Sequence, residues 1–309
     1  MSKFLFGKLW LSPMESVSDF SFRKLCHEHG ADMTFIEMLY ADAIVRRNKA
    51  TLAHVDSFDQ TPTGIQLLAS KPDILKKTLE FIRLKIGEKD DLFSNLSIVD
   101  LHFGCPSPAV IKSGNGPALC KRTQRMTDLL KTLKKHSPLP AGIKIRLGLN
   151  NQDKKNKVYL RVLEIANAVG IDYITVHPKT AIDSSRAPID YAALQEIIDH
   201  AAIPVIGSGF VTDGRSAKKM MDMGCSAVMI ARAAVGYPWV FEEIKAYMND
   251  GSMPKKKTKE EYMNAWEQYS SVAQQHKTLN KFYEYHKRIF QLRMSGDLSY
   301  HAPSRILNG

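Results

Sequence analysis

Short apolar, β-branched stretches alternate with longer amphipathic ones from the start of the chain to about residue 245. Strands are expected where apolar residues run four to eight long between turn signals, and helices where they recur every three to four positions. This pattern predicts strands at 8–13, 33–38, 63–68, 96–103, 141–147, 172–177, 203–207 and 226–231. Helices are predicted at 19–29, 71–86, 124–136, 156–169, 190–201, 213–223 and 236–249. Asp19, Asp190 and Asp213 fit N-terminal caps, and Gly30, Gly170 and Gly224 fit helix stops. Eight strands alternating with helices predict an α/β fold, a (β/α)8 TIM barrel over residues 1–245. No G-x-G-x-x-G follows the first strand, which argues against an open dinucleotide-binding sheet.

The pattern changes after residue 245. Gly251, Pro254 and Lys255–Lys257 read as a linker, and a helical segment from about 259 to 295 predicts a small all-helical C-terminal domain, residues 246–309. Charge sharpens this division. The chain of 309 residues carries a formal +11, and its last 55 residues hold ten Lys or Arg against five Asp or Glu. A basic balance favours a polyanionic partner such as nucleic acid. In "NKFYEYHKRIFQLR" (280–293), Lys281, Lys287, Arg288 and Arg293 stand near Tyr283, Tyr285 and His286. Cations neutralise phosphates and flat rings stack on bases, so this helix reads either as an RNA contact or as an ordinary amphipathic helix packed on the barrel.

No apolar run approaches the roughly 18 residues that span a bilayer. The opening residues are too short and weakly apolar for a secretion signal, so a cytoplasmic protein without membrane contact is expected. Four widely spaced cysteines without a C-x-x-C pair predict neither disulfides nor a metal site.

Chemistry gathers at the strand ends: Pro13 and Met14, Glu37, Gln66, Cys105, Lys144 and Arg146, His177, Ser208 and Gly209, Ala231 and Arg232. In a barrel the C-terminal strand ends converge on one face, where active sites are built. The glycine loop after the seventh strand and Arg232 after the eighth suit a phosphorylated cofactor. If Ile143 and Ile145 face the helices, Lys144 points into the barrel mouth, where it needs an anionic ring or a carboxylate such as Glu37. Gln66 offers a donor and an acceptor to the amide edge of a flavin or pyrimidine, and His177 closes the sixth strand as either a structural or a site histidine. Cys105 sits on a turn between Gly104 and Pro106, displayed as a general acid or a nucleophile, whereas Cys26, Cys120 and Cys225 suit inert core positions.

The motifs "LSPMESVSDFSFRKL", "GIQLL", "VDLHFGCPSPAVIKSGNGPALCKR", "GIKIRLG", "ITVHPKT", "IPVIGSGFVTDGRSA" and "GCSAVMIARAAVGYPWVFEEI" resemble the tRNA-dihydrouridine synthase family over nearly the whole chain. The resemblance implies an FMN-dependent barrel with a tRNA-binding helical domain, reduced by NADPH or NADH. It implies that hydride reaches C6 of a tRNA uracil while Cys105 protonates C5. Pro13, Met14, Gln66, Lys144 and His177 would surround the isoalloxazine and ribityl chain, with Ser208, Gly209, Ala231 and Arg232 at the phosphate. His102 and Lys179 would meet the target base, and Lys281, Lys287 and Arg288 the tRNA. Four positions depart from the family pattern: His102 and Ser208 replace Asn, Ala231 replaces Gly, and Lys179 replaces Arg. Two other readings stay open, a small-molecule dihydroorotate- or dihydropyrimidine-type flavin oxidoreductase and a non-catalytic tRNA-binding barrel. Removing residues 255–309 is expected to abolish action on tRNA and spare action on a free base.

Overall fold

The computed structural model describes residues 6–296. Nine parallel strands form one sheet: β1 (Leu9–Leu11), β2 (Thr34–Phe35), β3 (Leu39–Tyr40), β4 (Thr63–Leu68), β5 (Leu96–His102), β6 (Ala141–Arg146), β7 (Tyr173–His177), β8 (Val205–Ser208) and β9 (Ala227–Ile230). Adjacent strands pair in chain order from β4 to β9, β9 pairs with β1, and both β2 and β3 pair with β4. A parallel bridge from Trp10 to Met33 closes the ring between β1 and β2.

Among the described residues, thirteen helices accompany the strands. Before β5 lie α1 (Phe20–Glu28), α2 (Ala41–Val45), α3 (Lys49–Leu52) and α4 (Pro72–Gly87); between β5 and β7 lie α5 (Pro108–Lys112), α6 (Thr123–His136), α7 (Asn151–Lys155) and α8 (Val158–Val169). After β7 come α9 (Tyr191–His200), α10 (Gly214–Asp222), α11 (Val240–Asp250), α12 (Lys259–Gln275) and α13 (Asn280–Ser295). Among the described residues, no helix is long and apolar enough to cross a membrane.

Local chemistry explains the element limits. Asp19, Asp190 and Asp213 accept hydrogen bonds from the first-turn amides of α1, α9 and α10, as expected of caps. Thr258 and Glu261 close a reciprocal capping box that starts α12. Of the expected strand 33–38 only Thr34–Phe35 forms a strand, β2, and β3 follows beyond it at Leu39–Tyr40. Glu37 lies between them, accepting the Ser16 amide at 2.6 Å and pairing with His54 at 2.5 Å, so its segment serves side-chain contacts outside the ladder. The last barrel helix runs to Asp250, past the boundary expected at 245, and the connecting segment starts at Gly251.

The buried side chains form two clusters. The larger fills the space between strands and helices and includes Ile143 and Ile145. The smaller, with Trp10, Phe35, Ile98, Tyr173, Ile206 and Met229, fills the barrel. Trp10 and Tyr173 meet edge to face at 5.1 Å. Gly142 makes this interior possible: a Cβ there would lie 2.0 Å from the Tyr173 ring. The barrel is thus plugged by aromatic rings at depth, and polar side chains occupy the layers above.

Candidate active site

Strand alternation sets those upper layers. Gln66, Asp100 and Gly142 stand in register across β4, β5 and β6, and one step higher along the strands His102 stands beside Lys144. Ile143 and Ile145 face the helices, so Lys144 and Arg146 point inward as the alternation predicts. Above them opens a cavity with about 740 Å3 of atom-free space out to its mouth. It is lined by Ser12, Pro13 and Met14 after β1, Lys144 and Arg146 of β6, and His177 of β7. Ser208–Thr212 after β8 and Met229 and Ala231–Ala233 of the β9 end complete it. Pro13, Met14, Lys144, His177, Ser208, Gly209, Ala231 and Arg232 therefore share one wall-to-wall space.

Gln66 does not line it. Its amide donates to Asp100 Oδ1 at 2.7 Å in the layer below, so it is committed to a buried carboxylate. Asp100 is a site residue not among those expected from the sequence. It is completely buried, and its Oδ2 has no hydrogen-bond partner. Burial pushes Asp100 up to about 7, against the Gln66 bond and the charge of Lys144, which hold it down. Burial also pushes Lys144 down to about 8, helped by Arg146 and opposed by Asp100. The carboxylate facing Lys144 is thus Asp100. Glu37, the expected partner, is engaged with His54 and Ser16.

Two histidines stand among the cations. Burial, then Lys144 and Arg146, hold His102 well below the usual imidazole range. Only 7% of its surface is exposed, and its Nδ1 finds no partner among the described residues. His177 is lowered likewise by burial and by Arg146, Lys144, Lys179 and Arg232. Both rings are neutral at pH 7 and can donate and accept.

The glycine loop after β8 lies against His177. Gly209 has φ +108°, and a Cβ there would sit 2.9 Å from His177 Cε1, so only glycine fits between loop and ring. The N-terminus of α10 is sealed by its own Asp213–Ser216 capping box, which removes that helix end as an anion site. An anion in the cavity is left with the 208–212 backbone, Arg232 and the short 3-10 turn Arg232–Ala234.

Cys105 is half-buried on the segment joining β5 to α5. Its thiol is pushed above its ordinary value, chiefly by burial and further by Glu15, while the Ser107 amide, Lys144 and Arg146 pull the other way. It therefore carries its proton at neutral pH. The following Ser113–Gly116 loop packs beneath it: a Cβ on Gly116 would lie 3.5 Å from the Cys105 carbonyl oxygen. By contrast Cys26, Cys120 and Cys225 are buried, and the last two thiols are pushed up to about 12 by burial.

Lys179 is buried outside the cavity lining. Its ammonium sits 4.3 Å over the Phe210 ring and donates to the Ser185 carbonyl at 3.2 Å, while Arg146 donates to the Thr180 carbonyl at 2.8 Å. Lys281, Lys287 and Arg288 are exposed on α13, and Lys281 lies within electrostatic reach of Glu37 between β2 and β3. The rings beside them are not available for stacking on bases. Tyr283 bonds Ser270 at 2.9 Å, Tyr285 is buried, and His286 Nε2 donates to the Val17 carbonyl at 2.9 Å. Arg293 is buried too, donating to the Val235 carbonyl at 3.0 Å.

These donors fit FMN. Lys144, Arg146 and Arg232 border one cavity, and among the described residues no carboxylate lines it, Asp100 lying in the layer below, so a phosphate and an electron-rich ring find compensating charge there. The glycine-only contact at 209 leaves the backbone open to a phosphate, and the orphaned His102 nitrogen awaits a polar edge.

A parallel barrel whose rim holds such a cavity beside a protonated thiol belongs to the class of flavin-dependent barrel oxidoreductases. Comparison narrows the class. Residues 10–302 match the family described as dihydrouridine synthase (Dus). The tRNA-dihydrouridine synthase B of Pectobacterium carotovorum is 30% identical over 251 residues, covering 81% of this chain and 74% of that protein. Its counterpart in Proteus vulgaris is 30% identical over 244 residues, 78% of this chain and 72% of that protein. The chain belongs to the dihydrouridine synthase family.

Proposed function

We propose that this protein reduces the C5–C6 bond of uridines in tRNA, using FMN as its resident cofactor and NADPH or NADH as the reductant. The observation that carries the reading is that Cys105, on the turn just after β5 and with its thiol raised by burial, lies within the electrostatic reach of Lys144 and Arg146, two cations that line the cavity. Bound in that cavity, reduced FMN would supply a hydride to C6 of the uracil.

Lys144 and Arg146 offset the negative charge that develops on the uracil as C6 is attacked. Cys105 delivers its proton to C5, and burial keeps that proton on sulfur until the carbon becomes basic enough to take it. His102, neutral and with a free nitrogen, can donate to or accept from the uracil edge where the family uses an asparagine. Pro13 and Met14 close the cavity wall and exclude water from the reacting face. Ser208, Gly209, Ala231 and Arg232 hold the phosphate, Gln66 acts through Asp100 and Lys144, and Lys179 stiffens the 179–185 loop. The exposed Lys281, Lys287 and Arg288 supply phosphate contacts from α13, and the reaction belongs in the cytoplasm, where tRNA is modified.

The test is nucleoside mass spectrometry of unmodified tRNA incubated with the purified yellow protein and NADPH, beside parallel incubations with free uracil and orotate. Dihydrouridine in tRNA, absent with Cys105→Ala, is the expected result. Turnover of the free bases with none on tRNA would replace this reading with a small-molecule reductase.

A further inference from the structure

A second cavity opens on the same rim, on the β3–β4 side of Cys105, with about 980 Å3 of atom-free space out to its mouth. Its floor is apolar, from Val45, Leu68 and Ile74, and polar groups ring the mouth. Tyr40, the last residue of β3, stands at the lip with 42% of its surface exposed. The opposite wall is Ser113 and Asn115, whose side chains bond each other at 2.9 Å. That wall is the loop on which Cys105 rests, and Tyr40 lies within the electrostatic reach of the Cys105 thiol and of Glu15. This cavity therefore lies on the Tyr40 and Asn115 side of the Cys105 turn, within electrostatic reach of its thiol.

The lining selects one kind of occupant. A flat exposed ring beside an apolar floor holds another flat ring, Asn115 and Ser113 offer donors and acceptors to its edge, and Asp42 and Arg46, paired with each other, border the lining. Lys71 brings a cation to the mouth, and Arg125 adds a second beside it, bonded to the Ser70 carbonyl at 3.0 Å. Taking the target uridine out of the stack leaves its neighbour unstacked as well, and that neighbour needs a new platform. Resting on the functional reading above, we infer that this cavity receives the base of the nucleotide adjacent to the target uridine, stacked on Tyr40 with its phosphate at Lys71. The site is thus a determinant of which sequence context the enzyme accepts.

Tyr40→Ala, Tyr40→Trp and Lys71→Glu in the full-length, FMN-loaded protein test this. Three quantities are read for each: tRNA affinity, single-turnover dihydrouridine formation on saturating and limiting tRNA, and the rate of flavin reduction by NADPH without tRNA. Losing a base–aromatic stack should weaken tRNA binding roughly ten-fold for Tyr40→Ala. Tyr40→Trp should stay within about three-fold of the parent, since the platform persists. Lys71→Glu should also weaken binding and flatten its salt dependence, and it serves as the test if Tyr40→Ala fails to fold. Flavin reduction should be unchanged throughout. Parent-like tRNA affinity in both Tyr40→Ala and Lys71→Glu, with the parent active on tRNA, overturns the inference alone. Slowed flavin reduction with unaltered tRNA affinity assigns the cavity to the nicotinamide and overturns it too. A parent protein inactive on every tRNA removes the functional reading itself, and this inference with it.

Discussion

Lys144→Met separates the two consequences of a buried lysine. In the flavin-free protein the ammonium has a pKa of about 8, pushed down from 10.5 mainly by burial. Each pKa unit is worth about 1.4 kcal/mol, so keeping the charge at pH 7 costs up to about 3 kcal/mol. That figure is an upper bound, because the ammonium borders the open cavity and water there relieves part of the cost. Methionine removes the cost and leaves Asp100 with the Gln66 amide and the Tyr173 hydroxyl beside it. Asp100, already near 7, then takes a proton at neutral pH instead of remaining an unpaired buried anion.

The flavin-free variant should accordingly unfold in urea within about 1 kcal/mol of the parent, or above it. FMN affinity should behave differently, falling by roughly 30-fold or more as a desolvated charge partner is lost, which titration of flavin fluorescence measures. The pH dependence has a fixed sign. Because the folded-state pKa of Lys144 lies below its unfolded value, its destabilising effect is full below pH 8 and fades as pH rises toward 10.5. The parent should gain stability relative to the variant across that window. A variant that loses more than about 2 kcal/mol at pH 7 yet binds FMN like the parent would refute the assignment of Lys144 to the flavin.

Cys105→Ala should retain FMN and tRNA binding but form product about 100- to 10,000-fold more slowly. Because burial raises the thiol, the parent single-turnover rate should hold through neutral pH and decline only in the alkaline range; a decline beginning near pH 7 would contradict the acid role. Gly142→Ala should destabilise the barrel by about 3 kcal/mol or more, seen as a lower thermal midpoint, because its methyl group would overlap the Tyr173 ring. Lys281→Glu combined with Lys287→Glu should weaken tRNA binding and reduce the slope of log affinity against log salt by about two, with little change in thermal midpoint because both side chains are exposed.

Much of this was legible in the chain because strands and helices announce themselves by period. The alternation of "GIKIR" places Lys144 and Arg146 inside, and so they are. The same alternation in "VDLHF" places Asp100 and His102 inward together. Asp100 is therefore legible in the alternation as the lysine's partner. Helical period also settles "NKFYEYHKRIFQLR": Phe282, Tyr285, His286, Ile289, Phe290 and Arg293 fall on one face, and all six are buried. Two features carried no signal. The break between β2 and β3 depends on Glu37 meeting Ser16 and His54, which only the fold brings together. The short helices α2, α3 and α5 stand in loops after strands, where period is too brief to read.

The buried face of α13 changes what truncation can test. Residues 255–309 were expected to be removable with loss of tRNA activity alone. Yet α12 packs on α1, the His286 ring lies 4.7 Å from Phe22, and His276 meets Phe20 at 4.8 Å. His286 also holds the carbonyl of Val17, whose amide donates to the Met14 carbonyl on the wall of the FMN cavity. Cutting at residue 255 would expose the apolar side of α1 and release the loop that positions Met14. The truncated chain should therefore lose stability and flavin affinity together with action on tRNA, so it cannot isolate RNA binding. A truncated barrel that keeps parental FMN affinity and thermal midpoint would show that the helices are an appendage. Because His286 reaches the cavity wall through Val17 and Met14, the charge reversals at Lys281 and Lys287 are the cleaner probe of how tRNA is held.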